Sequence, residues 1–154
     1  MPKKKVDIFL VALSSPIQIG IYENQKLIEL IESKEKSSEV LPLLFEQLLQ
    51  KYELQGLYYT NGPGSFMAIK IAYIFLKSLS VLKKVPLFAT DAFKFNKNTP
   101  IKAIGKLCFV KIASEIKTQK LEKVPEVVFT LPDLLDYSEF STDAAPLYMI
   151  GAVG

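Results

Sequence analysis

The chain has 154 residues, with 19 basic against 16 acidic side chains for a formal net charge of +3, 49% apolar residues, nine Pro, seven Gly and one Cys. Every basic residue is Lys, and with no His there is no imidazole base, no Ser-His-Asp or Cys-His arrangement and none of the usual transition-metal ligand sets. Without Arg there is no bidentate fork for phosphate or guanine, and a lone Cys excludes an intramolecular disulfide and a cysteine zinc site.

Lys3-Lys4-Lys5 followed by Ile8 to Leu13 imitates a signal peptide, but Asp7 interrupts it, the apolar core is six residues, and no clean cleavage pattern follows. It reads as a solvated tail entering a buried strand. No apolar run approaches the ~20 residues needed to span a bilayer, so the expectation is a cytoplasmic protein without membrane contact. Val6 to Leu13 is nearly continuous apolar sequence, as in a central strand covered on both faces. Ile17, Ile19 and Ile21 alternate with Gln18, Gly20 and Tyr22, the period-two pattern of a half-buried strand. Glu23-Asn24-Gln25 makes a turn, and Lys26 to Glu32 a third strand.

Ser37 or Ser38 is expected to cap a helix that carries Glu39 in its first turn and runs to about Lys51. Pro42 is tolerated there if it sits near the start, among donors that lack intrahelical partners. The helix's apolar set (Val40, Leu41, Leu43, Leu44, Phe45, Leu48 and Leu49) is wider than one core stripe requires. Leu57 to Asn61 reads as a short buried strand running into Gly62-Pro63-Gly64-Ser65. A second helix spans Phe66 to Lys84, with Lys70, Tyr73, Lys77, Ser80 and Lys84 as one narrow polar stripe and Pro86 as the stop before a strand at Leu87 to Thr90.

The resulting order, β-β-β-α-β-α-β, is α/β with antiparallel and parallel parts. Asn96 to Pro100 reads as a boundary loop, which divides the chain into residues 1–95 and a small second lobe, 96–154. In that lobe Ile101 to Ile104 and Leu107 to Ile112 are expected to pair, Glu126 to Leu131 reads as a further strand, and an apolar stretch lies at Leu147 to Ile150.

Asn61-Gly62-Pro63-Gly64-Ser65-Phe66 is the informative segment. Glycines between strand and helix allow a sharp turn and close approach, Ser65 can cap the helix, and the first helical N–H groups suit an anion. The same residues also serve as a turn that needs glycine for geometry alone, and both readings stand at this point. Cys108, between Leu107 and Phe109, reads as a buried inert thiol. Local spacing brings no second carboxylate to Asp7 or Asp91, and Asp133, Asp136, Glu139 and Asp143 read as a solvated loop. Of Tyr58 and Tyr59, one ring is expected to enter the core. The net charge is thinly spread, the only dense basic run being Lys3 to Lys5.

Gly62-Pro63-Gly64-Ser65-Phe66, followed by Lys70-Ile71-Ala72 and a long helix, resembles the Gly-Pro-Gly-Ser-Phe-Thr-Gly-x-Arg-Ile-Gly stretch of the TsaB (YeaZ-type) family. Ser38-Glu39 with Leu41 and Pro42 is similar to that family's His-Ser-Glu-x-Leu-x-Pro helix start, with Ser37 in the place of the His. Val85-Pro86-Leu87 with Thr90-Asp91, and Ala145-Pro146-Leu147-Tyr148, resemble its later strand and its Pro-x-Tyr signature. The resemblance implies an actin-like (ASKHA, ribonuclease H-like) fold. It further implies a non-catalytic subunit in the formation of N6-threonylcarbamoyladenosine in tRNA, next to the anticodon. That subunit pairs helix to helix with a homologous TsaD subunit, which carries the metal and performs the transfer.

On this reading the partner-binding residues are Glu39, Leu43, Phe66, Lys70, Tyr73, Ile74 and Lys77, and replacing Ala72 or Ile74 with Lys is expected to break association. Gly62, Pro63, Gly64 and Ser65 are the candidate nucleotide- or anion-contacting turn, with Gly64 expected to need special backbone geometry. There is no metal and no cofactor of its own, although ATP or ADP can enter with the partner. A TsaE-like ATPase is a further candidate partner, tRNA contact is indirect, and a homodimer is an option for the chain alone. Leu13-Ser14-Ser15 stands where the family often has Asp-Thr-Ser, Met67-Ala68 replaces Thr-Gly, and Lys70 replaces Arg. These departures weaken a phosphate site. Two alternatives are a stand-alone nucleotide-dependent transferase or kinase of the same fold and a homodimeric interaction protein.

Overall fold

A computed structural model describes residues 2–126 and 128–147. Its elements are β1 (Lys4–Val11), β2 (Ile17–Glu23), β3 (Lys26–Ser33), α1 (Ser37–Lys51), β4 (Tyr52–Thr60), α2 (Phe66–Lys83), β5 (Leu87–Thr90), β6 (Ile101–Ile104), β7 (Leu107–Ile112) and β8 (Glu115–Lys120), with short 3-10 turns at Ala92–Phe95 and Tyr137–Glu139. The order expected from the first 90 residues is the order found.

Strands β1 to β5 form one sheet in the order β3-β2-β1-β4-β5, with β1 antiparallel to β2 and parallel to β4. The apolar run of β1 is explained by this central place. Val6, Ile8 and Leu10 face a core beneath the helices with Leu41, Phe45, Leu48, Ala72 and Leu76, while Phe9 and Val11 enter a second core with Phe93, Phe95, Phe109, Phe129 and Leu131. Strands β6, β7 and β8 make a separate antiparallel sheet, and Ile101 and Phe109 from it help to fill that second core.

From Leu131 to Leu147 the chain has no strand but is tied down throughout. Lys26 bridges Leu134 beside β3, Ala89 bridges Ser141 beside β5, and Leu147 N–H donates to Asn61 O at 2.7 Å. This strap therefore crosses from one edge of the five-stranded sheet to the other.

Several expectations need correction. The N-cap of α1 is Lys36, with no side-chain cap, so neither Ser37 nor Ser38 performs that role. Pro42 consequently lies beyond the first turn, and the Ser38 carbonyl has no i+4 N–H to accept. Strand β4 begins five residues before Leu57, and β8, unexpected from sequence, pairs with β7 along its whole length. Glu126 to Leu131 is not a strand among its described residues: Thr130 N–H donates to Phe95 O and Phe129 packs into the second core, with no strand partner alongside. Tyr148 to Ile150 lie outside the described residues.

Candidate functional site

Helix α2 is apolar on opposite sides. Ile69, Ala72, Leu76 and Leu79 face the sheet and are buried. Met67, Ile71, Ile74, Ser78 and Val81 follow one another at alternating steps of four and three, the spacing of a helix–helix seam, and four of the five are exposed. Ile74 is 53% and Val81 66% exposed. Alongside, α1 presents Pro42 and Leu43, the latter 58% exposed. Ser37, Ser38, Leu41 and Pro42 of α1 and Ile71, Ile74, Phe75 and Ser78 of α2 line a shallow groove of about 370 Å³. An edge-to-face contact between Phe45 and Phe75, with centroids 5.1 Å apart, sets the helix spacing beneath it.

The expected face residues are not equivalent. Glu39, Leu43, Lys70, Ile74 and Lys77 are exposed, and Phe66 and Tyr73 are half-buried. Tyr73 packs on the core beneath the helices, its ring 6.3 Å from that of Tyr59. Ser80 is buried and its hydroxyl donates to Val85 O at 2.5 Å, so the polar stripe is solvated only at its lysines. Ala72, 2% exposed, belongs to the core and not to the outer face. A Lys there would place an ammonium group under the sheet, so loss of association would report unfolding.

The Gly62–Ser65 turn joins β4 to α2. Ser65 is the N-cap, its Oγ accepting from Ala68 N–H at 3.4 Å, as expected. The Gly62–Pro63 bond is cis, and Gly62 has a φ of +120°. A Cβ at Gly62 would lie 2.9 Å from Leu147 O and 3.0 Å from Ile69 Cδ1, whereas one at Gly64 would meet only Leu13 at an ordinary 3.4 Å. The residue that requires glycine is therefore Gly62 and not Gly64. The strap is seated on this turn: Asn61 Nδ2 donates to Ala145 O at 2.9 Å, and Tyr59 donates to Ala144 O. Part of the Ala145-Pro146-Leu147-Tyr148 motif thus lies directly against Asn61-Gly62.

The Asp7 carboxylate is held within the fold. Asp7, 3% exposed in β1, accepts from Tyr137 Oη at 2.5 Å. Burial pushes its pKa up, against the lowering effect of that hydrogen bond, and burial together with Asp7 pushes Tyr137 to about 12. Gly56 makes room for it, because a Cβ there would lie 2.9 Å from Asp7 Oδ1. Asp91 caps the 3-10 turn at Ala92–Phe95 and pairs with Lys111 at 2.7 Å. Tyr58 and Tyr59 are both buried, one on each side of the sheet, and the Tyr58 ring stacks on Phe88 and Tyr137. Among the described residues no three of His, Cys, Asp and Glu are grouped as a metal site. No helix among them is long and apolar enough to cross a membrane.

No family model matches the chain. Over 79 residues it is 35% identical to the tRNA threonylcarbamoyladenosine biosynthesis protein TsaB of Buchnera aphidicola subsp. Acyrthosiphon pisum (strain APS), an alignment covering 47% of this chain and 36% of that protein. The chain thus spans little more than a third of the length of that curated relative. Its fold matches YeaZ from Pseudomonas aeruginosa with a TM-score of 0.57 at 12% identity, over 76% of this chain and 65% of that one. A second structure from the same organism, of an uncharacterized protein with similarity to peptidase YeaZ, matches with a TM-score of 0.52 at 13% identity, over 76% and 64%. The sheet order, the strand–turn–helix at Gly62 to Ser65 and these likenesses agree: the chain is similar in sequence to a TsaB protein over about half its length and shares the fold of YeaZ.

Proposed function

We propose that this protein is a non-catalytic partner subunit that supports a TsaD-like enzyme in the N6-threonylcarbamoyladenosine modification of tRNA. The observation that carries the reading is the seam of Met67, Ile71, Ile74 and Val81 on α2, beside Pro42 and Leu43 of α1, left uncovered on the side of the helices away from the core. A contiguous apolar surface of this kind costs solubility unless another helix covers it. The name of the Buchnera relative supports the pathway. In this role the helix pair docks on the enzyme and holds its active arrangement, while ATP or ADP and a TsaE-like ATPase come with the partner. The protein works in the cytoplasm, and residues 96–154 act as a reduced second lobe.

Lysines 70 and 77 border the seam and set its polar rim. A stand-alone nucleotide enzyme is disfavoured by the residues at the first strand's end, where Leu13-Ser14-Ser15 offers no carboxylate to hold magnesium through water.

The test is size-exclusion chromatography with light scattering, on the chain alone and mixed with the TsaD-type subunit of the same organism. Wild type is expected to form a heteromeric complex. Ile74→Lys removes the apolar area still open at that residue, worth about 1–1.5 kcal/mol, and adds the cost of desolvating an ammonium group. The expected weakening is therefore on the order of 100-fold, with an unchanged melting temperature. Wild-type affinity in Ile74→Lys would sink the proposal.

A further inference from the structure

We infer that the sheet β6-β7-β8 is a contact surface for the phosphate backbone of RNA. Residues 92–126 carry eight Lys and three acidic residues, whereas residues 127–154 carry four acidic residues and no Lys. The modest net charge of the whole chain therefore conceals a strongly basic lobe. The lysines are spaced three to six residues apart, so no dense run appears in the sequence, and the fold places two of them on one face of this small sheet. Lys102 on β6 lies in register with Cys108 on β7 and Gln119 on β8, and Lys117 lies opposite Val110 on the same face. Lys120 pairs with Leu107 and so lies on the opposite face, at the end of the sheet where the Lys106 carbonyl accepts from Leu121 N–H.

These charges are available. Lys111 is committed to Asp91 at 2.7 Å. Lys106 and Lys117 have only exposed carboxylates at 3.5 Å, pairs of little strength in water. Among the described residues Lys97, Lys102, Lys120 and Lys123 have no carboxylate within 4.0 Å. Lysines on exposed strands also discourage pairing with a second chain. That role accounts for Lys102, Lys117 and Lys120, but not for Lys97, Lys106 and Lys123, which lie outside the strands.

The chemistry fits a polyanion followed by charge. With no Arg there is no bidentate reading of guanine, and among the described residues none of the exposed large apolar side chains of β6 to β8 is aromatic, which leaves base stacking without a platform among them. The surface therefore holds RNA without reading its sequence. This deepens the role proposed above and takes from it the identity of the RNA as tRNA; it also makes tRNA contact direct, where the sequence suggested an indirect one.

The probe is fluorescently labelled unfractionated tRNA, titrated against the chain alone over a range of salt. Wild type should bind with an affinity that falls steeply with salt. The triple variant Lys102→Ala, Lys106→Ala and Lys117→Ala should bind about tenfold more weakly or worse at about 0.1 M salt, with a log–log salt slope shallower by about 2–3. A control removing Lys26, Lys34 and Lys36, exposed on the first lobe, should stay within about twofold. Equal affinity in the triple variant, equal losses in the control, or binding indifferent to salt would overturn the inference. So would tighter binding to vesicles of anionic phospholipid than to tRNA.

Association with the TsaD-type subunit separates the two proposals. A triple variant that associates normally but still binds tRNA like wild type defeats this inference alone. Ile74→Lys that binds tRNA normally and still associates defeats the partner role alone.

Discussion

Gly62→Ala and Gly64→Ala place the same methyl group two residues apart and should have opposite outcomes. At Gly62 the backbone holds φ at +120°, and the new Cβ would sit 2.9 Å from Leu147 O. Adopting such a backbone costs a non-glycine residue about 1–3 kcal/mol. Relieving the contact moves Leu147 and endangers its 2.7 Å hydrogen bond to Asn61 O, worth about 1 kcal/mol. The sum is about 2–4 kcal/mol, or a fall in melting temperature of roughly 4–16 °C for a domain of this size. At Gly64 the nearest atoms are those of Leu13 at 3.4 Å and φ is unexceptional. Ala there restricts the unfolded chain and should stabilise by up to about 1 kcal/mol. Thermal unfolding followed by circular dichroism measures both. Equal melting temperatures, or a larger loss at Gly64, would refute the assignment of the constrained position to Gly62.

Asp7→Asn should alter the pH dependence of stability. The folded-state pKa of Asp7 is raised by burial, so the folded state binds the proton more tightly than the unfolded state. Stability contributed at this site is present at low pH and is lost as pH rises from the ordinary carboxylate range through the raised value. The Asn variant should accordingly melt higher than wild type at neutral pH and converge with it in acid; a variant less stable at pH 7 would contradict this. Lys111→Met leaves Asp91 without its cation at a site where both side chains are less than one-fifth exposed. The expected loss is about 1–3 kcal/mol, read by chemical denaturation. A double-mutant cycle with Asp91→Asn should recover part of that loss, and additive effects would show the two residues to be uncoupled.

How much of this was legible in the sequence varies with how local each signal is. The alternation of Ile17, Ile19 and Ile21 and the apolar run of β1 are set by the faces they bury, so those strands could be read directly. Strand β8 could not, because Glu115 to Lys120 holds one apolar residue, Ile116; its place comes from pairing with β7. Glu126 to Leu131 failed the other way. Its Val and Phe content suits a strand, but no neighbour offers a ladder there.

The apolar breadth of α2 signalled a second covered face. It did not tell which residue lay on which side, and Ala72 was assigned to the wrong one. Gly62 and Gly64 look alike until Leu147 is seen above the first, 85 residues on. The pairing of Asp7 with Tyr137 spans 130 residues and leaves no trace in local spacing.

The strap has a consequence for the order of assembly. Its anchors lie on Lys26, Gln25, Ala89, Tyr59 and Asn61, all of them translated before the segment that binds them. As the chain is synthesised, the rows of unpaired amides beside β3 and β5 stay open, and the face bearing Phe9 and Tyr58 stays only partly covered, until residues 131–147 have emerged. That interval is the one in which a nascent chain is most exposed to edge-to-edge association. A chaperone that shields such edges would find its substrate there, and a lesion in the strap would lengthen the interval without removing a single strand.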